Sequence, residues 1–337
     1  ADVGQPDAWT DRIRSAVLLW HDIVNMPDAA VTDLIRQDGI DILIDLAGHT
    51  LGNRLLVFAR RPASIQMTYL GYPATTGLEA IDYRLTDHLA DPVGMSEEHH
   101  VEKLVRMSKS AWCYEPDRLS PTTDSPVLKN GYVTFGSFNN VAKINDQFLR
   151  VWGKILESVP DSRLLLKAVG FRSLNAQKHV KSTILSQVRI DPERIMILGP
   201  EIDHETHLAL YREMDIGLDT FPYHGTTTTC EALWMGVPVV TLAGQSHVSR
   251  VGVSLLTNVE LPELVAESED EYVRIAVELA CDVERLVNYR LNIRDKMLGS
   301  KLLDAPSFAR EVESVLRQVW LSSVVGASLD SSEAVNP

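Results

Sequence analysis

Cysteine is scarce in this sequence, and no apolar run approaches the length of a membrane span. The 337 residues include three cysteines, Cys113, Cys230 and Cys281. They are far apart and odd in number, so we expect neither a disulfide framework nor a Cys-x-x-Cys zinc site. A bilayer requires roughly 18 consecutive apolar residues, which this chain lacks, and no secretory signal opens it. These absences predict a cytoplasmic protein with no membrane partner.

Positive charge is also in deficit. The sequence carries 32 Lys and Arg against 46 Asp and Glu, which gives a formal net charge of −14. Nucleic-acid binding proteins usually present a basic face, and no long Lys/Arg cluster is found here. We therefore expect no nucleic-acid partner, although a nucleotide could bind through local hydrogen-bond donors.

Several cofactor motifs are missing as well. The absence of Gly-x-Gly-x-x-Gly and of a Walker A sequence disfavours a dehydrogenase and a P-loop NTPase. No Asp-x-Asp is available to hold a divalent ion under a diphosphate, and the histidines lack zinc spacing. We expect no metal and no other cofactor.

Strand and helix patterns alternate along most of the chain. Residues 40–46 form a β-branched run typical of a buried parallel strand, and a regular β–α series follows residues 132–138. This alternation predicts an α/β fold with doubly wound parallel sheets, whose ligands bind at the carboxyl ends of the strands. Two such lobes facing each other across a cleft make the GT-B architecture.

The lobes are predicted from changes in composition. We expect a first lobe at 1–118, a linker rich in Pro, Ser and Thr at 119–130, a second lobe with closing helices at 131–320, and a disordered tail at 321–337. The first lobe opens on a helix at 9–20 rather than on a strand, so we expect its first strands to lie upstream and the lobe to be incomplete.

The most informative segment is DTFPYHGTTTTCEALWMG at 219–236, where a strand enters, a Pro/Gly loop turns and a helix leaves. Consecutive threonines suit a helix interior poorly because β-branching restricts their rotamers. At a helix start, however, their hydroxyls, the free N–H groups and the positive end of the dipole form an anion site. Simple N-capping is the plainer alternative, but one Ser or Thr would suffice for it. Glu231, one turn into this helix, could accept hydrogen bonds from a ribose diol.

Three further residues follow strands of the same predicted sheet. Lys143 comes after the strand at 132–138, and His204 and His207 begin the helix after residues 195–198. A parallel sheet would place all of them on the rim that carries the four threonines at 226–229, the threonine run. An ammonium beside a diphosphate would neutralise the charge that develops on a leaving group, and a histidine could stack on a base or bond the ribose.

Four segments resemble the catalytic region of the O-GlcNAc transferase/SPINDLY glycosyltransferases. They are LAGHT at 46–50, LGYPATTG at 70–77, FGSFNNVAK at 135–143 and the segment 219–236. The resemblance implies an inverting, metal-independent GT-B enzyme that transfers a sugar, first of all GlcNAc from UDP-GlcNAc, to Ser or Thr hydroxyls of proteins. Family members usually carry tetratricopeptide repeats upstream, which we expect in the full-length protein. The first lobe would serve the acceptor and the second the nucleotide-sugar donor.

The resemblance also implies roles for individual residues. Positions that match donor contacts are Lys143, Thr226, Thr227 and Thr228 at the diphosphate, Glu231 at the ribose, His207 (with His204 nearby) at the base, Asn140 beside the lysine, Leu70, Gly71 and Pro73 at the sugar, and Arg54 near the cleft. Lys143 and His49 are the catalytic candidates.

The sequence also departs from the family pattern. Leu51 and Leu210 stand where the family has a lysine and an arginine, which weakens the transfer of the UDP-GlcNAc contacts. The Asp-Phe-x-x-His motif, which holds the proposed base, is absent, so the general base is unassigned. Residues 75–84 and 252–257 are closer to the SPINDLY branch, whose plant members use GDP-fucose. A protein O-fucosyltransferase, a non-catalytic nucleotide-sugar-binding module and a GT-B enzyme acting on a small glycan or lipid therefore stay open.

Overall fold

The computed structural model describes residues 1–118, 120–200 and 203–325. The chain forms two compact units. The first unit comprises Ala1–Thr86, Glu97–Met107 and the described residues from Glu311 on, and the second unit comprises Asp87–Ser96 and Ser108–Arg310. Among the described residues, no helix is both long and apolar enough to cross a membrane.

The first unit is built on a four-stranded sheet of order β1-β2-β3-β4, in which β1 pairs with β2 and β2 with β3 in parallel. Leu55, Phe58 and Ile81 form a small buried cluster beside it. Its elements are α1 (Ala8–Ala16), α2 (Asp28–Gln37), β1 (Ile42–Asp45), α3 (Leu55–Phe58), β2 (Ile65–Thr68), β3 (Tyr83–Asp87) and β4 (Lys103–Met107).

The second unit contains a six-stranded parallel sheet of order β10-β9-β8-β5-β6-β7. Its strands are β5 (Thr134–Ser137), β6 (Arg163–Lys167), β7 (Ile195–Leu198), β8 (Ile216–Leu218), β9 (Val239–Leu242) and β10 (Val265–Ala266). Its helices are α4 (Val127–Asn130), α5 (Asp146–Ser158), α6 (Leu174–Leu185), α7 (His204–Ala209), α8 (Thr227–Trp234), α9 (Val251–Asn258), α10 (Glu269–Cys281), α11 (Val283–Gly299) and the start of α12 (Ala305–Val325).

The core of the second unit explains why its strands are apolar runs. Phe135, Leu164 and Ile216, on three neighbouring strands, are fully buried, as is Trp152 on α5. Helices cover both faces of a doubly wound sheet, so its strands lack the alternation of a half-exposed strand. The strand order reverses between β5 and β8, which is the point where such sheets form their ligand crevice.

The unit boundaries differ from those predicted from composition. Leu119 lies outside the described residues, but the rest of the predicted linker is tied to the second unit. The buried Asp215 accepts hydrogen bonds from Ser125 Oγ at 2.5 Å and from the Val127 amide at 3.0 Å. Further upstream, the Tyr114 amide bonds the Leu302 carbonyl at 2.8 Å. Specific hydrogen bonds therefore hold this segment even though it lacks apolar periodicity.

The end of the chain also differs from the prediction. Helix α12 continues to Val325, so the first residues of the predicted disordered tail are helical, and residues 326–337 lie outside the described residues. Helix α11 and the strands β4 and β10 were not predicted.

Candidate functional site: the rim at β5 and β8

The candidate site lies where β5 and β8 end, side by side. These strands pair in parallel with Phe135 opposite Ile216, so the loop after β5 and the loop after β8 leave the sheet at the same edge. The first loop carries Asn139 and Lys143, and the second leads to the threonine run. Topology thus brings together two segments that are about 80 residues apart in the chain.

Asp219 organises the loop that precedes the threonine run. Its carboxylate is buried and accepts hydrogen bonds from the amides of Thr220 at 2.9 Å and Gly225 at 2.8 Å and from Thr241 Oγ1 at 2.8 Å. The peptide bond between Phe221 and Pro222, within this loop, is cis. One carboxylate therefore fixes both ends of the turn and orients Gly225 at the start of the helix.

His224 is a fully buried, neutral part of the same network. Its Nδ1 accepts a hydrogen bond from the Gly252 amide at 3.0 Å, so the ring proton is on Nε2, which donates to the Leu242 carbonyl at 2.9 Å. Burial lowers the pKa of His224, an effect that the nearby Asp219 carboxylate opposes. This histidine is a structural support of the loop.

Lys143 is half-buried beside the loop. Its ammonium donates to the His224 carbonyl at 2.7 Å and lies 4.1 Å from the centre of the Tyr223 ring. Burial lowers the pKa of Lys143, and the Asp219 carboxylate opposes that shift. An ammonium in such a partly desolvated position interacts more strongly with an incoming anion than an exposed one does.

The threonine run forms the start of α8. Thr226 is the N-cap residue, yet its side chain makes no capping hydrogen bond, so capping does not account for it. The Thr228 hydroxyl donates to Asn139 Oδ1 at 2.9 Å, and the Thr229 hydroxyl donates to the Gly225 carbonyl at 3.1 Å. The amides of the first helical turn have no intrahelical acceptor, so this helix start can receive an anion.

A second polar cluster lies on the same rim. Glu231 is buried, and its Oε2 is 2.9 Å from His207 Nε2 and 3.2 Å from the Tyr211 hydroxyl. The opposite ring nitrogen of His207, Nδ1, contacts the ammonium of Lys167. His204 is exposed, with its ring centre 6.0 Å from that of His207. The structure therefore brings together the predicted ribose and base residues and adds Lys167 to them.

Asn139 and Lys167 were missed by the sequence reasoning, which selected Asn140. The Asn140 side chain accepts from the Ala142 amide at 3.0 Å and caps a short 3₁₀ turn, whereas the neighbouring Asn139 reaches Thr228. Lys167 is the last residue of β6. The carboxyl end of a strand next to the crevice is the signal that could have found it.

The two glycine-containing motifs of the first unit pack on each other at the ends of β1 and β2. Asp45 accepts from the Gly48 amide and from Thr68 Oγ1, at 2.8 and 2.9 Å. A Cβ on Gly48 would lie 2.3 Å from Tyr72 Cβ, and one on Gly71 would lie 2.0 Å from the Leu46 carbonyl oxygen. Only glycine fits at both positions.

The loop that carries Leu70, Gly71 and Pro73 is fixed from beneath. The buried Arg84 donates to the carbonyls of Tyr72 and Ala74 at 2.9 and 2.8 Å. Leu70 is exposed and has a φ of 68°, a left-handed conformation that is uncommon outside glycine. The loop therefore presents Leu70 to solvent from a rigid base.

The far end of this loop is bound by Glu102. Its carboxylate accepts hydrogen bonds from the Thr75 hydroxyl and the Thr76 amide, both at 2.7 Å, and from the Thr76 hydroxyl. Burial acts to raise the pKa of Glu102, but the hydrogen bonds from Thr76 and Thr75 outweigh it and leave the pKa lowered. The carboxylate stays ionised and holds the loop.

His49 and Arg54 occupy different settings within the first unit. His49 is exposed, its Nε2 lies 2.8 Å from the Thr76 carbonyl, and its ring meets that of Tyr72 edge-on. Arg54 instead donates to the carboxylates of Asp2 and Asp28 at 2.7 and 3.0 Å. Its guanidinium ties the start of the chain to α2, and its predicted role at the donor stays a prediction.

The described residues contain no group of three or more His, Cys, Asp or Glu side chains that could hold a metal ion. Among the described residues, Lys143 and Lys167 bring positive charge to the β5/β8 rim, and the start of α8 adds the positive end of its dipole.

Comparison with known proteins places this geometry in context. The model of Glycosyl transferase family 41 matches residues 20–119 and 116–312. The chain is 47% identical over 325 residues to a probable UDP-N-acetylglucosamine–peptide N-acetylglucosaminyltransferase SPINDLY of Solanum lycopersicum, covering 95% of this chain and 35% of that protein. A probable enzyme of the same activity, SEC of Arabidopsis thaliana, is 30% identical over 93% of this chain and 32% of its own length. The chain thus spans about a third of the curated relatives that it matches.

Solved structures give the fold. A variant of the Thermobaculum terrenum O-GlcNAc transferase superposes with a TM-score of 0.91 at 37% identity, covering 97% of this chain and 62% of that one. Sucrose-phosphate synthase from Thermosynechococcus elongatus has a TM-score of 0.57 at 13% identity, which shows a likeness of fold alone. The fold is GT-B, as the sequence predicted.

Proposed function

The chain belongs to glycosyl transferase family 41, and on that basis we propose that it transfers a sugar from a nucleotide-sugar donor to serine and threonine hydroxyls of proteins. The observation that carries the proposal is the half-buried Lys143 ammonium, 2.7 Å from the carbonyl that precedes Gly225 and the threonine run. A positive charge and a helix start with unbonded amides thus lie together between β5 and β8, where the strand order of the doubly wound sheet reverses.

In the proposed reaction the acceptor oxygen attacks the anomeric carbon on the face opposite the nucleotide. The new C–O bond forms while the bond from the anomeric carbon to the diphosphate breaks, so the configuration inverts. The leaving diphosphate gains negative charge, which Lys143 and the N–H groups of Thr226, Thr227 and Thr228 stabilise. The hydroxyl proton leaves with a base that we do not assign. We propose that no metal takes part.

The nucleoside would lie across the second polar cluster. Glu231 Oε2 already accepts a hydrogen bond from His207. Among the residues that the structure describes, none donates a hydrogen bond to Oε1. A buried carboxylate with one oxygen left to accept is suited to the hydroxyls of a ribose. His207 lies beside it and would stack on the base.

We propose GlcNAc from UDP-GlcNAc as the transferred sugar. The alternative is fucose from GDP-fucose, because residues 75–84 and 252–257 resemble the SPINDLY branch and Leu51 and Leu210 weaken the transfer of the UDP-GlcNAc contacts. A nucleotide-sugar-binding module without catalysis and a GT-B enzyme acting on a small glycan or lipid are the remaining candidates. We propose cytoplasmic protein acceptors as partners, with neither nucleic acid nor membrane.

The test has two arms. The first follows thermal unfolding of the full 337-residue chain with UDP, GDP, UDP-GlcNAc or GDP-fucose, because a ligand stabilises the folded state by an amount set by its affinity. The second measures transfer of labelled sugar to protein acceptors. Stabilisation by one nucleotide series together with labelling supports the proposal and selects the donor. Stabilisation without labelling of protein excludes protein acceptors and leaves the binding module and the enzyme acting on a small glycan or lipid, and no stabilisation by any of the four overturns the proposed site.

A further inference from the structure

The cluster of Lys167, His207, Glu231 and Tyr211 constrains where its protons lie. Lys167 is 6% exposed although it ends a strand at the rim. Its ammonium has only donors, so the His207 Nδ1 that it contacts must be an acceptor. The ring proton is then on Nε2, which donates to Glu231 Oε2 at 2.9 Å. His207 is therefore a neutral imidazole in a single tautomer.

The Tyr211 hydroxyl also points at this oxygen. It lies 3.2 Å from Glu231 Oε2 and 3.2 Å from the Thr228 carbonyl. Burial and the Glu231 charge raise the pKa of Tyr211 well above its ordinary value, so the phenol keeps its proton and acts as a donor. Both donors converge on one carboxylate oxygen and leave Oε1 for a ligand.

We propose that Lys167 is a positioning residue of the nucleotide site, which holds His207 as the neutral Nε2–H imidazole and through it directs Glu231 Oε1 to the ribose of a nucleoside diphosphate. This inference rests on the proposed function, because it takes the rim as the nucleotide site. Lys167 itself is not placed against the nucleotide. It acts on Glu231 indirectly, through its contact with the His207 ring and the hydrogen bond from that ring to Glu231.

The charges around His207 show what removal of Lys167 would change. Among the described residues, the titratable groups seen to face the ring are Lys167 from β6, Glu231 from α8, Tyr211 from the turn after α7, and His204 from α7 itself. Without the lysine, the neutral ring can also take the Nδ1–H tautomer, which sets a lone pair against the carboxylate. That tautomer loses the hydrogen bond from His207 Nε2 to Glu231 Oε2.

The test compares wild type with Lys167→Met and with Lys154→Met, which removes an exposed lysine of α5. We expect UDP or GDP, whichever binds the wild type, to bind Lys167→Met about tenfold more weakly at pH 8. The reason is that the hydrogen bond from His207 to the charged Glu231 is lost. We expect no change in Lys154→Met, and unchanged affinity in Lys167→Met would overturn the inference.

Nitrogen NMR of ¹⁵N-histidine-labelled chain reads the tautomer directly, with the His207 signals assigned by their loss in His207→Gln. We expect wild type at pH 8 to show protonated Nε2 and unprotonated Nδ1, and Lys167→Met to show the Nδ1–H tautomer as well. If Lys167→Met does not fold, the wild-type spectrum decides, because an Nδ1–H tautomer or a charged ring there would overturn the inference. If the tautomer is as expected but neither nucleotide binds wild type, the proposed function fails and the positioning of His207 stands.

Discussion

At the scale of single residues, Lys143 is the group whose charge the proposed reaction needs. We expect Lys143→Met to lower the rate of sugar transfer by at least about a hundredfold, the usual loss when one group that stabilises developing charge is removed. Stability should change by no more than about 1 kcal/mol, because methionine keeps the apolar stem and removes an ammonium that burial disfavours.

The measurements for Lys143 are initial transfer rates and denaturant unfolding, with Lys154→Met as the matched control on an exposed site. A variant that keeps the wild-type rate would exclude Lys143 from the leaving-group role. A variant that does not fold would instead make it a structural residue.

His224 makes the stability of the second unit depend on pH. Burial lowers its pKa from the usual 6.5. Below pH 6.5 the imidazole is therefore protonated more readily in the unfolded chain than in the folded one. Stability from this group is therefore present above pH 6.5 and is lost as the pH falls below it, by at most about 1.4 kcal/mol per pH unit. We expect His224→Gln to be less stable than wild type at pH 7.5 and the gap to narrow from pH 6.5 to pH 5.

Urea unfolding at those pH values checks the linkage. His99→Gln is the control, because His99 is exposed and lies outside the buried network of His224. A gap between wild type and His224→Gln that stays constant with pH would show that His224 is not kept neutral by the fold.

At the scale of elements, the start of α8 is packed too tightly to accept a side chain. A Cβ on Gly225 would lie 2.4 Å from Thr228 Oγ1 and 2.8 Å from Asn139 Oδ1. We expect Gly225→Ala to cost about 1–3 kcal/mol of stability by overpacking and to weaken nucleoside diphosphate binding, since the helix start must move. Gly199→Ala, at a site with nothing within 4 Å, is the control. Equal effects of the two substitutions on calorimetric affinity would contradict this account.

The elements also show what sequence can predict. Residues 195–198 were predicted as a strand and form β7, a run of four apolar residues at the edge of the sheet in which only Ile195 is fully buried. Strand β10 has two residues, too few for any pattern. Helix α11 was missed because its buried stripe of Leu286, Tyr289, Ile293 and Met297 also includes Arg290. That buried guanidinium donates to backbone carbonyls, a compensation that only the fold reveals.

The sequence could predict the site only in part. The order of strands and loops along the chain shows which residues lie at the carboxyl edge of the sheet, but not which of them contact each other. The positions of Lys143, the threonine run, Glu231 and His207 follow from parallel topology, since each comes after the carboxyl end of a strand. The choice of Asn139 over Asn140, and the pairing of Lys167 with His207, depend on side-chain directions at contacts 40 to 89 residues apart. No local pattern encodes those directions.

At the scale of the whole molecule, the second unit contains the residues of the candidate nucleotide site. It consists of Asp87–Ser96 as well as Ser108–Arg310, so it begins upstream of Ser108. The buried Asp87 accepts from the Ala111 amide at 2.9 Å and from Ser254 Oγ at 2.7 Å, and Asp91 lies 2.6 Å from His247 Nδ1. A fragment of residues 108–310 loses these carboxylates and leaves their buried partners without them. Each such loss costs about 1–3 kcal/mol.

We therefore expect a fragment of residues 87–310 to unfold cooperatively and to be more stable than one of residues 108–310 by at least about 3 kcal/mol. The longer fragment should also retain nucleoside diphosphate binding, with a stabilisation of about 2.7 kcal/mol at a ligand concentration one hundred times Kd. Thermal and urea unfolding of both fragments and the full chain, with and without UDP or GDP, measures this. Equal stability of the two fragments would mean that Asp87 and Asp91 are peripheral. Stabilisation of the full chain but not of residues 87–310 would mean that the nucleotide needs residues outside the fragment, because Lys143, Lys167, His207, Glu231 and the start of α8 are all retained in it.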